Sequence, residues 1–583
     1  MSRELGAVHQ TLRAALDWSY DLLPEAERRL LRFLSIFPAG FTLDAAIAVA
    51  GGPDVPEADV VEGLANLVTK SLVAQDDADA SGRWRLLETI RAYGLARLSE
   101  AGEAPLAARR HAEYFRSLAA HALSRQPATE DLARFAREID NVRAALDWAF
   151  SDVGNGTAGV VLTAAYVPVW LRMFLVAECG ERVERALAAL RSGPELDAPL
   201  RARLLTALGF ALLNTSGVAE RIRTVVVEGL GIAEGLDDPE LHLRALWAAW
   251  SLNLSAGDYR ATRAAALRFL EVARRAGGPA PVLVGHHLLG CALHFAGSQA
   301  AAREHLERAL GDGLAAGGRA GPMWFLLDQR IVGRAMLARV ALLQCRIDEA
   351  RRQARTCLEE AEASGHRLSV CYALRNAVCP VEITTGDVAA AAASVSLLND
   401  LAALHGLDFW IDWASCLRGQ LLVSRGELAP GVDLLRAGLD RRAWAGWTMR
   451  NPEFMGALAE GLAGTGRLAE AFGAVDAALA QCERGDQRWC EPELRRLKGE
   501  FLLLKEEDRL VPAAESYFAE ALALSREQGA LLWELRAALS LARLQIARDR
   551  RDSAKRILRP VYDNCSAGHD VPDLLAARAL LSM

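Results

Sequence analysis

His287, Cys291 and His294 are the residues of this chain whose types and spacing come nearest to a metal site. Steps of four and three place them on one face of a helix, where such residues are neighbours, and His305 could approach from a paired helix. Four nitrogen and sulfur ligands would hold a structural zinc ion. The same residues equally suit an apolar inner helix in which Cys291 takes a small-residue packing position, and no partner carboxylate is evident. The expectation is therefore no metal and no cofactor, with His287, Cys291 and His294 as the one candidate trio.

A second set joins aromatic and cationic side chains. Trp413, Trp444 and Trp447, with Phe409-Trp410 alongside, fall on or near successive helical pairs, and Arg330, Arg334 and Arg418 stand close to them in the pattern. The inner helices of a curved repeat array line a concave groove. These six residues are expected to form a partner or ligand surface there, with core filling between repeats as the alternative. Catalytic signatures are missing: no Ser-His-Asp order, His-Glu-x-x-His, paired-cysteine cluster or glycine-rich dinucleotide loop occurs. A phosphate-cradling loop needs Gly-x4-Gly-Lys-Ser/Thr, because backbone amides hold the phosphates and the lysine neutralises them. The four lysines are Lys70, Lys498, Lys505 and Lys555, and none follows a glycine. An enzyme is not expected.

The elements that would position these residues are almost all helical. Hydrophobic residues make up 52% of the 583, dominated by Ala and Leu, and aromatics only 6%, which suits many helices packed through small side chains. Turn signals recur on a fixed interval: Gly217, Gly257 and Gly297, then Gly386, Gly426 and Gly466, stand 40 residues apart within each set. Cys345 to Asp348 fills the gap, and Lys505 to Asp508 and Arg548 to Asp552 continue the series. Glycine before Asp or Glu suits a left-handed helix stop followed by the cap of the next helix. Helix pairs at this period make a solenoid, in which each hairpin buries its apolar face against its neighbours. Small residues at the crossings, as in Leu208-Gly209-Phe210-Ala211 and Leu289-Gly290-Cys291-Ala292, favour tetratricopeptide-like hairpins, eight or nine of them over residues 201–583.

The first hundred residues read differently. Helices are expected over Thr11–Leu22, Pro24–Phe37, Leu43–Val49 and Val60–Thr69, followed by strand-like runs at Ser71–Ala74 and Trp84–Leu87 around a polar turn. Helices closed by such a hairpin form a winged helix. Residues 101–200 are expected to be a helical adaptor, with Leu106–Leu123, Leu132–Phe150 and Val160–Leu190 as its main pieces. The fold class is thus all-α: a winged-helix module followed by a tetratricopeptide-like α-solenoid.

Thr11 to Ala46, with Ser19-Tyr20-Asp21, Leu23-Pro24 and Phe37-Pro38, resembles the winged helix that follows the nucleotide-binding module in STAND NTPases, including plant disease-resistance proteins. The run Arg83 to Leu98 and the segment EIDNVRAALDWAF, Glu138 to Phe150, look like bacterial transcription regulators of this class, as does the ending from Ile557. The resemblance implies the C-terminal part of such a regulator, without its NTPase and N-terminal DNA-binding domains, which are expected to be lost or encoded separately. In related winged helices a Met-His-Asp histidine contacts nucleotide; the aligned positions here are Leu87-Glu88-Thr89, so that contact is not implied.

Charge bears on the rival reading, a DNA-binding regulator acting through its winged helix. Residues 1–100 carry 15 acidic and 10 basic side chains, and the whole chain is at −7. A DNA surface needs phosphate-neutralising cations first, so direct DNA binding is not expected. Ten cysteines without a C-x-x-C pair and a first segment lacking an apolar signal region point to a cytoplasmic protein. The uncharged run Val153–Leu171, broken by Asn155 and Pro168, reads as loop plus buried helix and not a membrane span. The expected function is a non-enzymatic regulatory scaffold whose solenoid binds a protein partner, such as a separate NTPase or transcription factor, or a small effector.

Overall fold

The computed structural model describes residues 13–75, 82–123, 129–191, 197–215, 219–311, 327–565 and 570–582. They form two compact units, Met1–Met173 with Glu181–Leu204, and Phe174–Gly180 with Leu205–Met583.

The first unit opens with a helix over residues 13–21, then helices Glu25–Leu34, Leu43–Ala50 and Glu57–Thr69. Three short strands, β1 (Phe41–Thr42) before Leu43–Ala50 and β2 (Ala74–Gln75) and β3 (Arg83–Arg85) after Glu57–Thr69, pair antiparallel in the order β1-β3-β2. The wing starts later than expected from Ser71–Ala74, because Ser71 takes a left-handed φ of 58° at the helix end and the chain becomes extended only at Ala74. Leu87 leaves the sheet to cap the helix Glu88–Glu100. The adaptor does not stand apart: Ala104–Leu123 packs on Leu43–Ala50 and on Gly156–Arg172 in the same unit. Two of its expected pieces are broken. Leu132–Phe150 divides into Thr129–Ala136 and Ile139–Ala149, and Val160–Leu190 into Gly156–Arg172 and Val176–Arg191 with Phe174 at φ 65°.

The first of those breaks places Glu138 against the wing. Arg83 of β3 pairs with Glu138, and both side chains are more than nine-tenths buried. Arg83 Nη2 also donates to the Gly40 carbonyl at 2.6 Å. Asn141 Nδ2 donates to Glu138 Oε2 at 2.6 Å and to the same carbonyl at 3.1 Å, while its Oδ1 accepts from Ala39 N at 3.2 Å. Every partner is satisfied by another, as burial of charge demands.

Nine helical hairpins can be traced among the described residues, from Ala198–Asn214, which belongs to the second unit from Leu205 on, with Ala219–Glu234 to Leu531–Ala547 with Arg551–Asn564, followed by Pro572–Ser582. The left-handed stops are as read, with Gly257, Gly297, Gly386, Gly426 and Gly466 all at positive φ; Asp258 and Asp387 cap the next helix, accepting from Ala261 N and Ala390 N at 2.9 and 3.2 Å, whereas Ser298 and Glu427 make no side-chain cap. Cys345 and Asp549 supply left-handed turns at φ 55° and 59° without glycine. Gly217-Val218 lies outside the described residues.

The hairpins wind so that loops meet across one superhelical turn. Thr448 N and Met449 N donate to Ser255 O at 3.1 and 3.2 Å, and Trp489 N donates to Phe295 O at 3.2 Å. Ala219 N donates to Ala445 O at 3.0 Å, and Arg351 pairs with Asp570 at 2.9 Å. Gly257 is needed twice: its φ is positive, and a Cβ there would sit 2.3 Å from Thr448 Oγ1. The first helices of the hairpins therefore face a closed bore.

Breaking the Arg83–Glu138 pair from one side should be costly. Arg83→Met is expected to lower unfolding stability by about 3–5 kcal/mol, since it leaves a buried carboxylate alone. Arg83→Met with Glu138→Leu should cost less than either single change in urea denaturation.

Candidate functional site

Six successive first helices enclose a cavity of about 90 Å³ in the bore. Phe210 and Asn214 come from the first hairpin, Trp247, Trp250 and Ser251 from the second, and His287 from the third. Gln329 and Val332 belong to the fourth, Tyr372 and Arg375 to the fifth, Phe409 and Trp410 to the sixth. The indoles are held by their own bonds: Trp250 Nε1 donates to Leu288 O at 3.2 Å, and Trp410 Nε1 reaches Asn214 Oδ1 at 3.3 Å, joining the sixth hairpin to the first.

Arg375 is the charged residue of this lining. It sits in a single π-helical turn, Leu374–Val378, inside the helix that starts at Arg367; such bulges widen a helix locally and gather at functional sites. The side chain is buried, at 6% relative exposure. Its guanidinium lies 4.6 Å from the Trp413 ring, 4.7 Å from Trp410, and 5.6 Å from both Phe409 and Tyr372. Its Nε has no hydrogen-bond partner, and no carboxylate pairs with it among the described residues. Burial, with the fields of Arg450, Arg442 and Arg339, pulls its pKa down to about 9, which still leaves it cationic at neutral pH.

Behind it lie three further buried arginines. Arg450 holds Glu453 through two bonds of 2.6 and 2.9 Å and donates to Arg375 O at 3.1 Å. Arg442 stacks on Trp413 at 4.1 Å and donates to Asn451 Oδ1 and Met449 O. Arg339 lies over Trp489 at 4.9 Å, with Glu453 at 3.8 Å. Burial lowers Arg339 to about 9 and Arg442 to about 10. Among the described residues Glu453 is the one carboxylate with ion pairs in this group.

None of the six residues expected to line the groove borders the cavity. Trp413 is fully buried and Trp447 nearly so; both fill the space between hairpins, with Trp447 against Phe409 at 6.1 Å. Trp444 ends a second helix and points to solvent, 77% exposed. Arg330 turns back onto Asp328 at 2.9 Å, and Arg334 onto Glu360 and Gln353 at 2.9 and 3.1 Å. Arg418 is exposed. The signal that finds Arg375 is its isolation: it is the only charge between Leu368 and Val381.

The metal trio does not converge. His287 reaches Cys291 Sγ at 3.6 Å, but His294 Nδ1 bonds Gln299 Oε1 at 2.8 Å and its Nε2 faces Arg339 Nε at 3.4 Å. His305 meets His286, Nδ1 to Nδ1 at 2.8 Å, instead of the trio. Among the described residues no three His, Cys, Asp or Glu side chains gather to hold an ion. Burial drives the Cys291 thiol well above its ordinary range and takes His287 down to about 4 and His294 to about 3.

Residues 23–99 match the family model described as a winged helix-turn-helix domain. A protein of Mycobacterium tuberculosis named "Putative HTH-type transcriptional regulator" is 39% identical over 253 residues, 42% of this chain and 28% of that protein; its Mycobacterium bovis counterpart matches equally. A second M. tuberculosis protein, uncharacterized, is 38% identical over 108 residues, 18% of this chain and 28% of its own. The chain thus spans little more than a quarter of the curated relatives it matches. Among solved structures, the Cut9–Hcn1 assembly of the APC/C aligns over 84% of this chain and 92% of its own with TM-score 0.47 and 12% identity. A STAND protein with a tetratricopeptide repeat sensor from Pyrococcus horikoshii aligns over 73% and 64% with TM-score 0.36 and 14% identity. No helix among the described residues is long and apolar enough to cross a membrane.

His287 makes stability pH-dependent. Held neutral in the folded chain, it contributes stability that is complete above about pH 6.5, its ordinary value, and is lost as pH falls towards 4. Between pH 7.5 and 5 it should cost about 2 kcal/mol. Urea midpoints across that range should fall for the wild type and fall less for His287→Gln.

Proposed function

We propose that this chain is the sensing part of a regulatory protein: the solenoid binds a protein partner or small effector, and the winged helix passes that state on through protein contacts, not through catalysis or base reading. The family match and the names of the relatives support a regulatory role. What favours partner binding over DNA binding is the solvent face of the helix Glu57–Thr69, the second helix of the helix-turn-helix. That face exposes Glu57, Asp59, Val61 and Glu62. Carboxylates there repel the phosphates that a DNA reader must first neutralise.

Several nearby cations are engaged within the module itself, although Arg85 of β3 is exposed. Arg29 Nη1 donates to Ala50 O at 3.2 Å, and Arg110 donates to Val49 O and Gly51 O, so the turn of the helix-turn-helix is closed by guanidinium groups. Lys70 pairs with Glu27 and Arg83 with Glu138. This use suits a winged helix whose task is to pack against protein.

Fluorescence anisotropy of the full chain with its own upstream DNA and with a random duplex, at two salt concentrations, tests the reading. The expected result is no binding at physiological salt tighter than about 100 µM, the weak end of non-specific affinity. Salt-dependent binding to the upstream fragment alone would establish the DNA-binding alternative.

A further inference from the structure

We infer that the cavity in the bore binds a small organic monocarboxylate on a short aliphatic body, with the carboxylate against Arg375. This rests on the sensing role proposed for the solenoid and names the chemistry of what it senses. The observation behind it is an imbalance of charge. Arg339, Arg375, Arg442 and Arg450 are each at least 94% buried. Arg450 takes Glu453 in a two-bond fork, and Arg442 is satisfied on two nitrogens by Asn451 and Met449. Arg375 is the one whose guanidinium both borders the cavity and lacks a hydrogen-bonded acceptor.

The aromatic rings around Arg375 ease this burial without ending it. Cation–π contacts stabilise a buried guanidinium by about 2 kcal/mol each at best, whereas desolvating the ion costs several, and rings accept no N–H bond of normal strength. An anion entering the cavity would supply the missing acceptor. Its class follows from the lining. One guanidinium edge with neutral Asn214, Ser251, Gln329 and Tyr372 matches a planar monoanion; a phosphate dianion needs more donors than these. Apolar side chains of the lining, Phe210, Trp247, Trp250, Val332, Phe409 and Trp410 among them, take an apolar body. Gln329 Oε1, buried without a partner, would accept from a hydroxyl on that body. A volume of about 90 Å³, well below about 150 Å³ for a cavity that takes benzene, limits the body to a few aliphatic carbons.

The test uses the full chain, with isothermal titration and the fluorescence of the tryptophans at the cavity wall as readouts. Probes are acetate, propionate, isobutyrate and lactate, each beside its own amide, and inorganic phosphate. At least one carboxylate should bind saturably, raise the melting temperature, and exceed its amide by at least about tenfold, as expected for hydrogen bonds to a charged group. Arg375→Met should abolish that preference, and Ser251→Leu, which fills the cavity and leaves the arginine in place, should block binding. Circular dichroism checks that both variants fold. No saturable binding by any of the acids, equal binding of acid and amide, tighter binding of phosphate, or undiminished binding to Arg375→Met would each overturn the inference. Such a failure with the DNA result still negative would leave the partner-binding reading standing; DNA binding would remove that reading while the carboxylate site stood on its own titration.

Discussion

A guanidinium taken out of water costs several kcal/mol unless its protons are met by acceptors and its charge by a counter-charge, and the solenoid buries four around Trp413 and Trp489 with one paired carboxylate among them. Three of the four, Arg375, Arg442 and Arg450, lie within 5.2 Å of the Trp413 ring centre. Much of the unit can be understood as the apparatus that makes this arrangement tolerable. Arg450 occupies a left-handed turn at φ 60°, from which it reaches Glu453 and the carbonyl of Arg375 at once. The π turn at Leu374–Val378 carries Arg375 beside four rings.

That interior exists only because the solenoid closes on itself. A hairpin array can stay open as a groove, but here the loops after Phe295 and Ser255 are bonded by chain lying five hairpins further on. Closure turns the concave face into a bore and draws its side chains into surroundings of lower dielectric, which raises the electrostatic cost of every unmatched charge there. The winged-helix unit follows the opposite rule. Its buried Arg83, Glu138 and Asn141 are matched bond for bond, as suits a junction that is to be rigid.

The repeat and the winged helix were legible in the sequence because their signals are local. Glycine at a fixed interval stops one helix in the left-handed conformation and opens the next, and this pattern placed the hairpin turns at Gly257, Gly297, Gly386, Gly426 and Gly466 directly. The breaks at Glu138 and Phe174 were not legible, since both lie in continuous helical patterns and are set by neighbouring elements. The cavity was legible only in outline: the inner helices do line it, but Arg330, Arg334, Trp413, Arg418, Trp444 and Trp447 do not. Which face of a helix meets the bore depends on superhelical closure, a contact across some two hundred residues that spacing does not encode. Arg375 did leave a trace, as a lone charge inside the apolar stretch from Leu368 to Val381, and an unexplained charge in a buried helix is a better pointer to a site than clustered tryptophans.

That Arg375 is held without its counter-ion is tested most directly by the unliganded stability of Arg375→Met, read as the urea midpoint and slope of the full chain. Methionine keeps much of the packing volume and removes the charge. The expected variant is at least as stable as the wild type, to within about 1 kcal/mol, because relief from burying the ion offsets the missing cation–π attraction. A loss of about 3 kcal/mol or more, the size seen when one member of a matched buried pair is removed, would show that Arg375 is already compensated and serves the fold.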